Sequence, residues 1–430
     1  MVTQPTSLSF AGAIAHDAEG ITVDKVPAAH IASVVGTPVY AYAQSEMLAS
    51  LAHLRAAFGT LPVEVLYALK ANSNQAVIKL FANADTGADV VSAGEIQRAL
   101  AAGIDPARIA FPGVGKTAAE MDYALSVGIG QFNVESESEL DLLASRAAGG
   151  SATAKVALRV NPDVDAGTHE KITTGRKHNK FGVPFTEIPA LYQRAATAAG
   201  IEPIGLHMHI GSQLTDITPY RAAFTRLAAL VGDLRAAGHT VSHLDIGGGM
   251  GIRYQDEQRF DAAAYAALVQ EIIAPLGCHI AIEPGRYLVG EAGVLLTRVL
   301  HVKRVPGRRF IIVDAAMNDL IRPTLYEAYH PVWLASPTAR PADPTPADVV
   351  GPVCETGDIL ARVRALPAVE AGDLLAIGAT GAYGAVMASA YNSRALVPEV
   401  LAHAGVFSVV RPRVEVSEII QQDQLPDWLS

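Results

Sequence analysis

The chain has 430 residues, half of them hydrophobic and 18% charged, with a formal net charge of −10. That composition describes a folded chain long enough for two cores, and without a basic run it carries no electrostatic footprint for nucleic acid. Cys278 and Cys354 are the only cysteines, too few for a disulfide framework and in keeping with a reducing compartment.

At the N-terminus a weakly apolar patch runs over 8–15 with no Lys or Arg before it, which argues against a secretory signal. No apolar stretch reaches the ~18 residues that a membrane span needs, so the expected location is the cytoplasm. Residues 1–36 are loosely patterned; Ile21-Thr22-Val23 reads as a strand with a distant partner, and 44–58 as a helix. A unit of strand, turn and amphipathic helix then repeats. Its apolar runs fall at 63–69, 88–91, 108–111, 131–134, 155–160, 204–210, 241–246 and 279–283.

Ser92 with Glu95, Thr117 with Glu120 and Ser136 with Glu139 fit capping boxes, and Thr218-Pro219 reads as an N-cap followed by Pro at the first helical position. Gly103, Gly128, Gly200 and Gly238 stand where helices need a left-handed closing residue. Strands alternating with helices imply a parallel sheet, and this many units favour closure into an α/β (β/α)8 TIM barrel. Beyond Gly290 the texture changes: strand-like runs at 294–302, 309–314, 374–378 and 409–416 are joined by Pro- and Gly-rich connections. That predicts a second, mostly antiparallel β domain, with 337–346 as a surface loop. The expected division is a barrel over 37–286 and a β-rich domain from 1–36 and 287–430.

In a barrel the C-terminal strand ends share one mouth, where barrel enzymes build their sites. Lys70, Asp89, Ser92, Pro112-Gly113, Glu135, Arg159, Asn161, His209, Ser212, Gly247-Gly248-Gly249 and Glu283-Pro284-Gly285-Arg286 all fall there. Lys70 ends an apolar run: it is either a solvated strand exit or a Schiff-base lysine. The triple glycine is by itself more often a tight turn. Beside Arg286, and with a lysine across the mouth, it suggests a phosphate cradle for pyridoxal phosphate. Glu283 is then the candidate partner for the pyridine nitrogen. His209 either stacks on the ring or is a hydrogen-bonded core histidine.

Tyr67-Ala68-Leu69-Lys70-Ala71-Asn72, His209-Ile210-Gly211-Ser212, Asp245-Ile246-Gly247-Gly248-Gly249 and Glu283-Pro284-Gly285-Arg286 resemble the alanine-racemase-fold, pyridoxal-phosphate-dependent amino-acid decarboxylases, the fold type III (group IV) enzymes. The resemblance runs from about Thr37 to Arg394. It implies Lys70 as the cofactor lysine, Glu283 at the pyridine nitrogen and His209 against the ring. Ser212, Gly248, Gly249 and Arg286 take the phosphate, with Asp89, Pro284, Gly285 and Tyr383 also at the cofactor. No metal is expected.

Asp314 to Pro323 with Tyr326, Gly351 to Asp358, Ala379 to Gly384 and Tyr391 to Arg394 are similar to the diaminopimelate decarboxylase branch of that family. This implies Arg286, Arg322, Tyr326, Glu355 and Tyr383 as substrate residues and Cys354 as proton donor. It also implies a homodimer in which the partner subunit delivers Cys354-Glu355. From the residues alone, a substrate with two amino-acid ends needs cations for its distal carboxylate and an acceptor for its distal ammonium, which Arg286, Arg322, Tyr326 and Glu355 supply. The bland readings are a small buried hydrophobe for Cys354 and a surface ion pair for Arg322 and Glu355. His178 to Gly182 is either an active-site loop or a helix lead-in; the resemblance favours the loop, with Thr173-Thr174-Gly175 helping to sort substrates and Lys177 in a segment that closes or not.

Three rivals remain. A decarboxylase acting on ornithine or arginine has no use for Arg322 and Tyr326, and carboxynorspermidine is a further substrate of the same fold. A non-catalytic pyridoxal-phosphate carrier would leave the ~140 residues after the barrel superfluous. An amino-acid racemase would want a neutral or cationic partner at the pyridine nitrogen, and Glu283 is neither.

Overall fold

The computed structural model describes residues 12–17, 20–149, 153–164, 180–336 and 343–429. Thr173-Thr174-Gly175, Lys177, His178 and Asn179, residues 8–11 of the N-terminal patch and most of the 337–346 loop lie outside the described residues. The chain divides into two compact units: Ser50–Arg253 with Glu257–Tyr287, and Met1–Ala49 with Tyr254–Asp256 and Leu288–Ser430.

The first unit is a closed parallel barrel. Its strands are β1 (Val63–Ala68), β2 (Gly87–Asp89), β3 (Ile109–Phe111), β4 (Gln131–Val134), β5 (Ala154–Asn161), β6 (Ile201–His207), β7 (His243–Asp245) and β8 (His279–Ile282). Each pairs in parallel with its neighbours in sequence, and β8 pairs with β1 to close the ring. All eight expected runs are strands. They are short and almost wholly buried, because helices cover the outside while side chains fill the inside.

The helix starts differ in part from expectation. Thr117 and Glu120 form a full capping box. Ser92 and Ser136 each accept the N3 amide as predicted, but Glu95 and Glu139 reach one residue further back, to the amides of Val91 and Glu135. Thr218 lies inside its helix, Thr218–Ala236, with Ile217 at the cap and no side-chain cap bond; Asp216 takes its amide and hydroxyl instead. Gly103, Gly128, Gly200 and Gly238 all have positive φ.

The barrel unit starts at Ser50 rather than Thr37 because Val39–Ala43 is a strand of the second unit's sheet. It pairs antiparallel with Gly293–Val305 and parallel with Glu399–His403. That sheet runs Ile359–Leu366, Thr345–Val350, Arg308–Val313, Gly293–Val305, Val39–Ala43, Glu399–His403 and Val406–Arg411. Leu374–Ile377 joins it through Gly293–Val305 and carries Val332–Leu334 on its other edge. Apart from the Val39–Ala43 pairing with Glu399–His403, one further pair is parallel, Arg308–Val313 with Thr345–Val350. The 409–416 run is not one strand: Val406–Arg411 is a strand, and Val416–Ile420 a short helix boxed by Glu415 and Glu418. Gly20–Val23 sits in a small antiparallel sheet, and Ile21 donates its amide to Ala335 at 3.0 Å, its distant partner.

Candidate active site

Lys70 lies in the 3-10 turn Leu69–Ala71 that ends β1. Tyr67 closes the turn by donating its hydroxyl to the Asn72 carbonyl at 2.8 Å, and Asn74 caps the next helix by accepting the Ala76 amide. The lysine is half-buried, and its Nζ is 2.5 Å from Asp89 Oδ2 at the end of β2. Asp89 is fully buried; desolvation and the nearby Glu283 push its pKa up to about 7 against the pull of Lys70. A half-exposed amine bonded to a buried carboxylate is not a solvated strand exit.

Glu283 follows β8 and is also buried. Burial alone would raise its pKa, but His207, with Lys70, holds it well below the carboxylate range. His207 Nε2 is 3.2 Å from Glu283 Oε2, while Glu283 Oε1 is buried with no hydrogen-bond partner among the described residues. His209 accepts the Gly248 amide on Nδ1 at 3.2 Å; burial, then Arg159 and Lys70, pull its pKa down to about 3. Its imidazole is neutral at physiological pH. His209 is thus a hydrogen-bonded, buried histidine that also lines the cavity.

That cavity, about 400 Å³, is lined by Lys70, Val91, Pro112, Gly113, Val114, Gly115, Glu120, Arg159, Phe181, His207, His209 and Glu283. It falls in the usual range for small-molecule sites. Beside it the turn after β7 is built for close approach. A Cβ on Gly247 would meet the Met208 carbonyl oxygen at 2.4 Å, one on Gly248 the Glu283 carbonyl oxygen at 2.1 Å, and one on Gly249 the Gly211 carbonyl oxygen at 2.4 Å. Tyr220 fixes this turn by donating its hydroxyl to the Gly248 carbonyl at 2.9 Å. Arg286 is buried and bonds Ser212 Oγ at 3.1 Å. Gly285 lies against Ala68 and Ala71, where a Cβ would come within 3.0 Å of each. The Ala68 amide also donates to the Pro284 carbonyl at 3.2 Å. The Glu283-to-Arg286 turn is thus locked to the Lys70 turn.

Arg159 was placed at the mouth by the sequence but given no role. Glu135 holds it at 2.8 Å and also accepts the amides of Gly113 and Gly182. Below, Lys116 is buried, donating to the carbonyls of Gly113 and Asn133 and pairing with Glu139 at 2.7 Å. Desolvation lowers the Lys116 pKa and raises that of Glu139. His207, the last residue of β6, was missed.

The remaining candidates belong to the second unit. Arg322 opens the helix Arg322–Tyr326 and is buried rather than in a surface ion pair. Its guanidinium bonds His330 Nε2 at 2.8 Å and lies over the Tyr254 ring at 4.9 Å. His330 Nδ1 is 2.9 Å from the Gly378 carbonyl, so that nitrogen carries the proton and Nε2 accepts from Arg322. Cys354 and Glu355 are exposed on the loop after Thr345–Val350, so Cys354 is not the buried hydrophobe of the bland reading. Asn392 accepts the Cys354 amide at 3.3 Å, and Tyr391 donates to Glu355 at 3.1 Å. Tyr383 has φ +55° and Asn392 φ +58°, left-handed values that non-glycine residues seldom hold without a reason.

The residues at the barrel mouth suit a phosphorylated pyridine aldehyde. An anionic buried carboxylate keeps one oxygen unpartnered, a lysine stands in the same cavity, and three glycines, a serine and an arginine converge beside it. Residues 44–290 match the family described as pyridoxal-dependent decarboxylase, pyridoxal binding domain. The diaminopimelate decarboxylase of Zymomonas mobilis is 46% identical over 414 residues, 95% of this chain and 98% of that one. That of Neisseria meningitidis is 48% identical over 390 residues, 91% of this chain and 95% of that one. Among solved structures, Helicobacter pylori diaminopimelate decarboxylase complexed with L-lysine superposes with a TM-score of 0.88 at 40% identity, covering 92% of this chain and 98% of that one. The M. jannaschii enzyme in co-complex with L-lysine reaches 0.93 at 33% identity, covering 98% and 100%. No helix among the described residues is long and apolar enough to cross a membrane.

Proposed function

The chain belongs to the diaminopimelate decarboxylases, within the pyridoxal-dependent decarboxylases, and from that premise we propose that it removes CO2 from meso-2,6-diaminopimelate to give L-lysine, the last step of lysine biosynthesis. The observation that carries this reading is a lysine and an anionic glutamate lining one cavity at the mouth of a barrel. Lys70 would hold the cofactor, pyridoxal 5'-phosphate, through its aldehyde carbon, with Asp89 keeping the amine in place. Ser212, Gly248, Gly249 and Arg286 would take the phosphate. The depressed pKa of Glu283 supports its placement at the ring nitrogen, since an ionised carboxylate favours a protonated pyridine. When bound, the protonated ring is an electron sink for the pair left behind when CO2 departs.

His209, neutral at physiological pH, offers the ring a face without adding a charge beside Lys70. Arg322, already desolvated over Tyr254, and Tyr326 would serve the distal carboxylate, with Arg286 and Tyr383 also at the substrate and Glu355 at its distal ammonium. Cys354 would give the proton that replaces CO2 on the same carbon. These roles come residue by residue from the resemblance, as does the D configuration of the reacting centre. The protein would work in the cytoplasm as a homodimer whose partner subunit brings the Cys354-Glu355 loop.

Steady-state CO2 release on meso-diaminopimelate and on L-ornithine tests the reading. A preference for diaminopimelate that collapses in Arg322→Leu is expected; faster turnover of ornithine overturns it.

A further inference from the structure

Three buried carboxyls cluster in the barrel interior: Asp89, Asp245 and Glu283. Asp89 has Lys70 as its cation and Glu283 has His207. Among the described residues Asp245 has no cation of its own. Its Oδ1 accepts the Gly247 amide at 3.1 Å, and Gln131 Nε2 lies 3.3 Å from Oδ2. One ligand atom each from His207, Asp245 and Glu283 falls within 4.8 Å of the other two, and all three side chains are buried. Two buried carboxyls at that spacing disfavour ionising together, so one of them retains its proton more readily. His207 settles which one, because it bonds Glu283.

Resting on the cofactor reading above, we propose that His207 and a protonated Asp245 are positioning residues for Glu283. His207 Nε2–H takes Oε2, the Asp245 carboxyl hydrogen-bonds the same carboxylate, and the unpartnered Oε1 is left for the ring N–H of the cofactor. Burial and the neighbouring charge of Glu283 both push the Asp245 pKa well above the carboxylate range, in the same sense. The arrangement stores a proton beside the glutamate without adding a second negative charge to the barrel core. It fixes the carboxylate from behind, so that its rotamer does not depend on the cofactor.

The test uses the holoenzyme and three variants. Asp245→Asn replaces a neutral hydrogen-bond donor by another, so it keeps kcat within about threefold of wild type and retains cofactor through dialysis. His207→Gln keeps an N–H donor and behaves likewise. His207→Leu removes the donor and lowers kcat about tenfold to a hundredfold with KM little changed, while the visible absorbance of the bound cofactor shifts. Infrared difference spectra of wild type against Asp245→Asn at neutral pH show the loss of one protonated-carboxyl carbonyl band. That last readout needs neither turnover nor substrate, so it stands even if the substrate assignment fails. Absence of that band, or an Asp245→Asn variant as impaired as His207→Leu, overturns the protonated aspartate. An unchanged rate and spectrum in a folded His207→Leu overturns the role of the histidine.

Discussion

Gly248→Ala is the sharpest structural perturbation of the site. The added Cβ would stand 2.1 Å from the Glu283 carbonyl oxygen and 2.9 Å from its carbon, against the 3.0 Å that real Cβ atoms do not undercut. The obstacle is backbone, so no rotamer change relieves it. The strand end carrying Glu283 must move by roughly 1 Å, and a misplacement of that size costs about a hundredfold in rate. Overpacking adds about 1–3 kcal/mol of destabilisation. Gly232→Ala is the matched control: it lies on the exposed face of Thr218–Ala236 with nothing within 4 Å of the new Cβ, so it should stabilise by about 0.5–1 kcal/mol. The assay is kcat together with cofactor retention and urea unfolding for both variants. A Gly248→Ala enzyme with wild-type kcat and full cofactor content would refute the cradle and its coupling to Glu283.

Glu139→Ala leaves Lys116 buried beside carbonyls alone, and removing one partner of a buried pair costs about 3–5 kcal/mol; urea unfolding should show it, with Lys116→Met added to the same chain recovering most of the loss. Asp319 is buried, and desolvation, outweighing the Ala316 amide and Arg394, raises its pKa to about 7. A raised folded pKa means that its contribution is whole below the ordinary carboxylate value and is lost as pH rises through about 7. Asp319→Asn should therefore melt higher relative to wild type at pH ~8 than at pH ~5; a gap independent of pH contradicts this. If Cys354 acts from the partner subunit, Lys70→Ala and Cys354→Ala homodimers are each inactive, but remixing them restores about a quarter of wild-type activity through hybrid dimers with one intact site. No recovery on remixing places Cys354 and Lys70 of one site on the same chain.

The barrel was legible because each strand is a short apolar run followed by a polar turn and a capped helix, signals that are local. Its boundary was less so: Val39–Ala43 is as apolar as a barrel strand, and only its pairing with Gly293–Val305 and Glu399–His403 assigns it. In the second unit two of the missed strands have local reasons. Thr345–Val350 contains Pro346, and Ile359–Leu366 carries Val363 at φ +51° and largely exposed, so neither shows clean alternation. The Glu415 and Glu418 box at Val416–Ile420 lacks the Ser or Thr that marks such a start. In the site, Lys70, Glu283 and the glycine turn stood out by type and place. His207 did not, because Met208 continues the apolar run past it and a histidine inside such a run resembles core. Lys116 carried no signal in the sequence; its burial follows from Glu139 and the carbonyls of Gly113 and Asn133, which only the fold brings together.

The central claim is that Lys70 is the residue to which the cofactor is joined. Borohydride reduction of the holoenzyme, digestion and peptide mass mapping read that bond directly. The account predicts a pyridoxyl label on the peptide containing Lys70, and loss of both label and visible absorbance in Lys70→Ala. A label on Lys116, Lys180 or another lysine, or an absorbance that survives Lys70→Ala, would contradict it.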